Sequence, residues 1–551
     1  MIVGRKQKSS AEAKQNRRGA LRPVVTTAER RAALSMAVLG AVGLWLGFPN
    51  PLFQVPVLAL LYPLALLELG RRTFSWHRAF RNGLGCGILG CGACLYWISV
   101  PIHDFGYLPW AVAAPTAASL GAYLALYGAI FSAAMHWGSR NLSPLCLGFF
   151  ALAAWALLEY LKGIFLSGFA WLTLSAAFVP WTLAVQGAAL LGAYALSGVF
   201  VAVVVWLAGG VRLKSRAALL AAVIVLSAFT AFGVYRLNEP LPAGKEALRV
   251  LLVQGNINQG QKWDQENLMT TINSYAQLTR SGLGRLAASE SGASVGHAPA
   301  SPLVIWPETA MPFFYTLHYE YGSKLRSLAG ELGVNLLFGA PGLEPSPSLA
   351  PEDYPLFNRA HLINYEGRDA GVYEKEHLVP FGEYPPAWIN LPFLDFFLSQ
   401  AGDFTPGLRT EPLRVNGIAL GVLICYETIF PELSRKRVQQ GAEVLVNISN
   451  DAWFGRTSAP EQHLQLTAMR AVEQGRYLLR ATNTGISSLV DPWGRILFRS
   501  PLFVAEAIPT MAYALNGHPP FFFVADYMPW LLAGLLALAA LSQYFQRRKP
   551  A

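Results

Sequence analysis

Cys425, Glu308 and Lys375 bring a thiol, a carboxylate and an ammonium to the ends of β-forming runs. Cys425 follows GIALGVLI, Glu308 follows PLVIWP, and Lys375 follows the strand-like RAHLINYE and a short turn. A nucleophile on the tight turn that ends a strand is exposed at the sheet edge, with backbone N–H groups close enough to hold an oxyanion. The thiolate is the attacking form of cysteine, and a free thiol titrates at roughly 8.5, so it needs a base or a neighbouring cation. Glu308 can take that proton and later return it to a leaving group. Lys375 can stabilise both the thiolate and a tetrahedral oxyanion. Singly, each signal is weak: a strand-end Cys is more often packing, and a lone loop Lys or Glu is usually solvated surface.

The elements that must position these residues lie in the second half of the chain. ALRVLLVQGNI, PLVIWPE, VNLLFGAP, RAHLINYE, IALGVLICYE and AEVLVNISN are short β-rich runs, several of them continuously apolar. Such strands are buried on both faces, so helices must cover the sheet. KLRSLAGELG and HLQLTAMRAVEQGRYLL carry the helical period. The pattern predicts a layered α/β domain over 237–526, with a Ser/Gly/Ala-rich surface insertion at 281–301 and a loop at 341–353.

The first half is of another kind. The 551 residues are 53% apolar and 14% charged, against roughly 25% charged in a soluble domain. A bilayer core needs about 20 apolar residues in a helix. Candidate spans fall near 32–48, 52–69, 82–100, 109–137, 144–161, 183–209 and 217–235, with an eighth at 528–545. The apolar, aromatic stretch 163–180 is expected to be re-entrant or interfacial. The resulting division is a basic segment 1–30, a helical membrane domain 31–236, the α/β domain 237–526, and a last span with a basic tail, 527–551.

Basic residues gather on one side of this arrangement. They lie in the N-terminal segment, the 70–81 loop, at Arg140, in the 210–216 loop, and at Arg547, Arg548 and Lys549, whereas the loops 49–51 and 101–108 hold none. That is a positive-inside signature, which predicts both termini in the cytoplasm and the α/β domain outside it. The net charge of +10 is thereby explained by topology, without the contiguous basic face that nucleic-acid binding requires. No cleavable signal peptide is expected, since about 30 polar residues precede the first apolar run. His103, Asp104, His136 and Glu159 fall near predicted helix ends and are expected to have structural or interfacial roles rather than to form a proton path. Of the five cysteines, Cys86, Cys91, Cys94 and Cys146 lie in apolar runs, which leaves Cys425 the lone thiol of the α/β domain.

The wording around the three residues is more specific than the residues themselves. WPE at 306–308, YEKEHLVPFGE at 373–383 and CYE at 425–427 occur in that order on successive strand–loop units. This resembles the Glu-Lys-Cys triad of the nitrilase superfamily. HLVPFGEY, NISNDAWFG at 447–455 and the preceding membrane domain resemble its membrane-embedded branch, the apolipoprotein N-acyltransferases. The resemblance covers essentially the whole chain and implies a nitrilase-like four-layer αββα sandwich joined to about eight transmembrane helices. It implies Glu308 as general base, Lys375 as oxyanion stabiliser and Cys425 as nucleophile, supported by Glu383, Tyr426 and Glu427. Trp263, Trp453 and Phe454 would gate lipid or touch substrate.

The implied activity is transfer of a fatty acyl chain from a phospholipid, through a Cys thioester, to the amine of a diacylglyceryl-cysteine apolipoprotein at the bacterial inner membrane. It needs no cofactor and no metal. The competing expectation is a membrane-tethered amidase or nitrilase-type hydrolase with the same triad. RTSAPEQHL after AWFG, GRY at 475–477 and the 281–301 insertion depart from the family wording. These departures concern the substrate entrance.

Overall fold

A computed structural model describes residues 26–240, 246–260, 262–290, 300–350, 353–386 and 403–546. Most of the basic N-terminal segment, the C-terminal Arg547, Arg548 and Lys549, and residues 291–299 of the expected insertion lie outside them.

The first half is helical. α1 (Thr27–Gly47) is started by a capping box, in which Thr26 and Glu29 satisfy each other's backbone N–H groups. It is followed by α2 (Leu61–Arg71), α3 (Trp76–Cys94), α4 (Trp110–Asn141), α5 (Pro144–Ile164), α6 (Ala188–Arg212) and α7 (Arg216–Asn238). Among the described residues, four helices are long and apolar enough to cross a membrane: α4, α5 with its continuation to Ser167, α6 and α7. A fifth span results if α3 and the piece Tyr96–Asp104, bent from it by 59°, count as one.

Four or five such helices among the described residues are fewer than the about eight spans expected, and two of the expected runs are not single helices. The 52–69 run is broken, because prolines remove helix donors at its start: Pro56–Leu60 is a 3₁₀ turn and only Leu61–Arg71 is α-helical. The 163–180 stretch has two parts: Ile164, Phe165 and Leu166 are exposed, whereas residues 170–179 are buried between the helices and the α/β domain and are apolar against protein. Glu159 is structural rather than interfacial: it is 4% exposed and accepts from Trp155 Nε1 (3.0 Å) and the Leu174 N–H (2.8 Å).

The α/β domain contains two six-stranded sheets. The first has the order β12-β1-β2-β3-β4-β5, built from β1 (Ala247–Gln254), β2 (Leu303–Ile305), β3 (Asn335–Leu343), β4 (Leu356–Ile363), β5 (Asp369–Glu374) and β12 (Glu506–Tyr513). The second has the order β11-β10-β9-β8-β7-β6, from β6 (Leu413–Val415), β7 (Ile418–Ile424), β8 (Val444–Ser449), β9 (Leu478–Thr482), β10 (Ser488–Val490) and β11 (Ile496–Arg499). Val250, Leu252 and Ile305 of one sheet share a core with Leu420, Val422 and Val446 of the other, so the sheets stack face to face. α8 (Leu268–Glu290) and α9 (Tyr319–Leu332) cover the outer face of the first sheet. α10 (Pro431–Gln439) and α11 (Ala459–Gln474) cover that of the second, and α12 (Met528–Gln546) ends the described chain.

Three local expectations are corrected. Residues 341–343 continue β3, because their backbone pairs with Phe357 and its neighbours on β4. Residues 281–290 extend α8, where Gly282 allows close approach to Leu251 and Ala507. The helical period read through RYLL is cut at Gly475, whose φ of +62° ends α11, and Leu478 begins β9.

Candidate active site

Each of the three chemistry-bearing residues stands just past a strand of the sandwich. Glu308 lies three residues beyond β2, Lys375 follows β5 directly, and Cys425 follows β7. Gly339 is required beside the first of these: a Cβ there would sit 2.4 Å from the Thr309 nitrogen and 2.6 Å from Glu308 Cα. The Lys375 N–H donates to the Asn358 carbonyl of β4 (2.9 Å), which fixes its backbone beside the neighbouring strand. Cys425 opens a 3₁₀ turn with φ +51°, a left-handed conformation that costs a non-glycine residue about 1 kcal/mol or more. It is a free, partly exposed thiol.

Lys375 Nζ lies 2.8 Å from Glu383 Oε1 and 3.7 Å from Glu308 Oε1, with a side chain 1% exposed. Asn358 Nδ2 donates to both carboxylates, at 2.8 Å to Glu308 and 2.9 Å to Glu383. The other Glu308 oxygen accepts from the Asn450 backbone N–H (2.8 Å), and the other Glu383 oxygen from that of Val379 (2.8 Å). Burial by itself would depress the Lys375 ammonium, but the carboxylates of Glu383 and Glu308 reverse that sign and hold it above its ordinary value. Burial pushes the Cys425 thiol up, as does Glu308, against the opposing pull of Lys375 and a hydrogen bond with Ser449. A thiol held in this way needs a base in reach before it can attack, and Glu308 is the carboxylate whose charge acts on it most strongly.

The supporting residues divide by location. Glu427 is fully buried and clamps two loops together. One oxygen accepts from the backbone of Glu376 and His377, and the other from the Ile424 N–H (2.7 Å) and Tyr373 Oη (2.8 Å). Burial raises its carboxyl to about 7 despite those donors and despite Lys375 and Arg437. Tyr426 turns away from the carboxylates and donates to the Gly168 carbonyl of the 163–180 segment (3.0 Å). Phe454 packs on Trp97 (4.9 Å between rings) and Trp453 on Phe105 (4.6 Å), both from the helical half. Trp263 is 53% exposed.

Several residues here have no motif to betray them. Asn358 joins the two carboxylates. Lys262, beside Trp263, is buried with no hydrogen-bond partner among the described residues, and burial lowers its ammonium to about 7, partly offset by Glu308. Behind Cys425, Asp451 accepts from Ser449 Oγ (2.7 Å) and Arg480 (2.7 Å), and His463 reaches the Cys425 carbonyl (3.2 Å). No cluster of His, Cys, Asp and Glu suited to hold a metal occurs among the described residues.

Comparison with known proteins follows the same division. Residues 249–510, which contain all three residues, match the carbon-nitrogen hydrolase family, and residues 40–206 match the apolipoprotein N-acyltransferase N-terminal domain. The apolipoprotein N-acyltransferase of Geobacter metallireducens is 35% identical over 93% of this chain and 95% of its own. The chain belongs to the apolipoprotein N-acyltransferase family. Members from Nitrosomonas europaea and Methylococcus capsulatus are each 34% identical, over 89% and 87% of this chain and 95% and 90% of theirs. Like other apolipoprotein N-acyltransferases, it is an acyltransferase built on a carbon-nitrogen hydrolase domain.

Proposed function

We propose that the chain transfers a fatty acyl group from a phospholipid to the N-terminal amine of a diacylglyceryl-cysteine lipoprotein, through a thioester on Cys425. Glu308 takes the thiol proton as Sγ attacks the ester carbonyl, and the tetrahedral oxyanion forms beside the Lys375 ammonium. Collapse expels the lysophospholipid alkoxide, which receives the proton from Glu308. In the second half-reaction the lipoprotein amine attacks the thioester, Glu308 takes the amine proton, and Cys425 leaves as a thiolate that recovers it. The net change is ester plus amine to amide plus alcohol. Glu383 and Asn358 hold Lys375 and Glu308 in place, and Glu427 binds the Lys375 loop to the Cys425 turn. Trp263, Trp453 and Phe454 contact or gate the acyl chains.

The observation that carries this reading is where the nucleophile turn sits. Tyr426, next to Cys425, is bonded to Gly168, and Phe454 is packed among membrane-domain aromatics. Drawing an acyl chain into water costs about 0.8 kcal/mol per CH₂, so a thiol at the helical layer serves a lipid ester better than a soluble amide. The basic end of the helices supports an orientation. Arg71, Arg72 and Arg212 converge on Glu68 at 2.5, 2.8 and 3.5 Å. We place that end in the cytoplasm with both termini, the 237–526 domain on the outer face of the inner membrane, and residues 31–236 and 527–551 in the bilayer.

Incubation with phospholipid and a synthetic diacylglyceryl-cysteine peptide tests the activity. The expected result is one added acyl group on the peptide amine with a matching lysophospholipid. Hydrolysis of a small amide to ammonia, with the peptide untouched, would favour the hydrolase instead.

A further inference from the structure

α11 is a polar helix with almost no surface. Every residue from Ala459 to Gln474 except Glu461 is buried. One side meets the second sheet and the other meets the membrane layer, and two adjacent residues divide the work.

Gln462 faces the membrane layer and its amide is saturated there. Its oxygen accepts from Trp97 Nε1 (3.1 Å) and Trp171 Nε1 (2.7 Å), and its nitrogen donates to the carbonyls of Pro49 (3.1 Å) and Cys94 (3.1 Å). His463 faces the catalytic sheet. Its Nε2 lies 3.2 Å from the Cys425 carbonyl, and its Nδ1 lies 3.0 Å from Arg480 Nη2 and 3.2 Å from Asp451 Oδ1. Nδ1 thus has both a donor, Arg480, and an acceptor, Asp451, in reach; a carbonyl oxygen only accepts, so at Nε2 the ring N–H donates to the Cys425 carbonyl. One turn along α11, Thr467 accepts from Thr428 (3.1 Å), which lies on the Cys425 turn.

The turn held in this way is the one that needs holding, because Cys425 is left-handed at φ +51°. Glu427 secures it through the Ile424 N–H before the cysteine, and His463 through the carbonyl after it.

We propose that His463 is a positioning residue for Cys425, and that Gln462 and His463 make α11 the link through which the membrane layer sets the nucleophile turn. This inference rests on Cys425 being the nucleophile. It makes the presentation of Sγ depend on aromatic residues that belong to the helical half and touch no carboxylate of the site.

The test is the rate of thioester formation by full-length protein in mixed micelles of dioleoyl phosphatidylethanolamine and phosphatidylglycerol, followed by intact mass. His463→Gln, whose amide nitrogen can stand in for Nε2, is expected within about threefold of the unaltered protein. His463→Asn, whose shorter amide stands in for Nδ1 and leaves the carbonyl only the longer contact from Asn447 Nδ2 (3.5 Å), is expected to be slower by about tenfold, the worth of one hydrogen bond. Trp97→Phe, which removes only the N–H to Gln462, is expected to slow acylation about threefold alone and not to slow His463→Asn further. Equal rates for the Gln and Asn variants would overturn the positioning role. Additive slowing by Trp97→Phe would overturn the link to the membrane layer. If His463→Asn does not fold, Trp97→Phe alone decides, since an unchanged rate overturns the proposal. No adduct in the unaltered protein would overturn the nucleophile assignment itself, and this inference with it.

Discussion

In front of Cys425, Glu308 and Glu383 share the amide of Asn358 and the ammonium of Lys375, and Lys375 is 3.7 Å from Glu308. Behind it, Asp451 is bonded at both oxygens, to Ser449 and Arg480 at 2.7 Å each, and His463 closes the set. Both groups pair buried charges. The front spreads one cation over two carboxylates: Lys375 is bonded to Glu383, and Glu308 takes its hydrogen bonds from Asn358 and the Asn450 N–H instead. The rear binds its one carboxylate tightly, and burial is overcome by Arg480 and His463, which hold the Asp451 carboxyl well below the usual range. The front shares one cation between two carboxylates, while the rear gives a single carboxylate its own guanidinium.

Changes in front should cost activity before stability, and changes behind the reverse. The largest expected effect is Cys425→Ala, which should abolish acyl-enzyme formation, a loss on the order of 10⁴-fold or more in turnover, with thermal stability little altered. Lys375→Met should reduce turnover by about 10³-fold. It should also cost about 3–5 kcal/mol, because Glu308 and Glu383 then face each other without a cation. That deficit should shrink as pH falls and one carboxylate is protonated, which thermal melts across pH would show. Arg480→Met sharpens the contrast. It should cost a similar 3–5 kcal/mol by stranding Asp451, while the surviving folded protein loses far less activity than Lys375→Met.

Glu427→Gln lies between the two regions, and should cost about 1–3 kcal/mol because an amide N–H₂ would face donors. Its carboxyl is raised from 4.5 to about 7 in the folded protein, so the folded state binds the extra proton. Its stabilising contribution is complete below pH 4.5 and is lost as pH rises towards 7. Glu427→Gln should flatten that decline, as urea titrations at several pH values would reveal. Trp453→Ala should have the smallest effect, within about 1 kcal/mol of stability and a few-fold change in acyl-chain preference. An unchanged preference would leave the residue a packing group.

The sequence exposed the front of the site far better than the rear. Glu308, Lys375, Glu383 and Cys425 lie within short, specific phrases at strand ends. Asn358 sits inside a strand pattern, where an amide looks like ordinary alternation. His463 and Gln462 sit on a helix whose partners are remote: Gln462 bonds residues 368 and 413 positions away. Their meaning arises from two domains meeting, which local periodicity does not encode. The layered α/β domain was legible because its strands are continuously apolar. Span counting was less so, because hydropathy does not distinguish a segment apolar against lipid from one apolar against protein. Residues 170–179 are of the second kind, and the 52–69 run is divided by prolines.

The most direct test of the account is the intact mass of the purified full-length protein after incubation with phospholipid alone, beside Cys425→Ala. The expected result is a gain of one fatty acyl group, released by hydroxylamine and absent from the variant. An adduct that persists in Cys425→Ala, or none under conditions where the lipoprotein peptide is acylated, would contradict a thioester on Cys425.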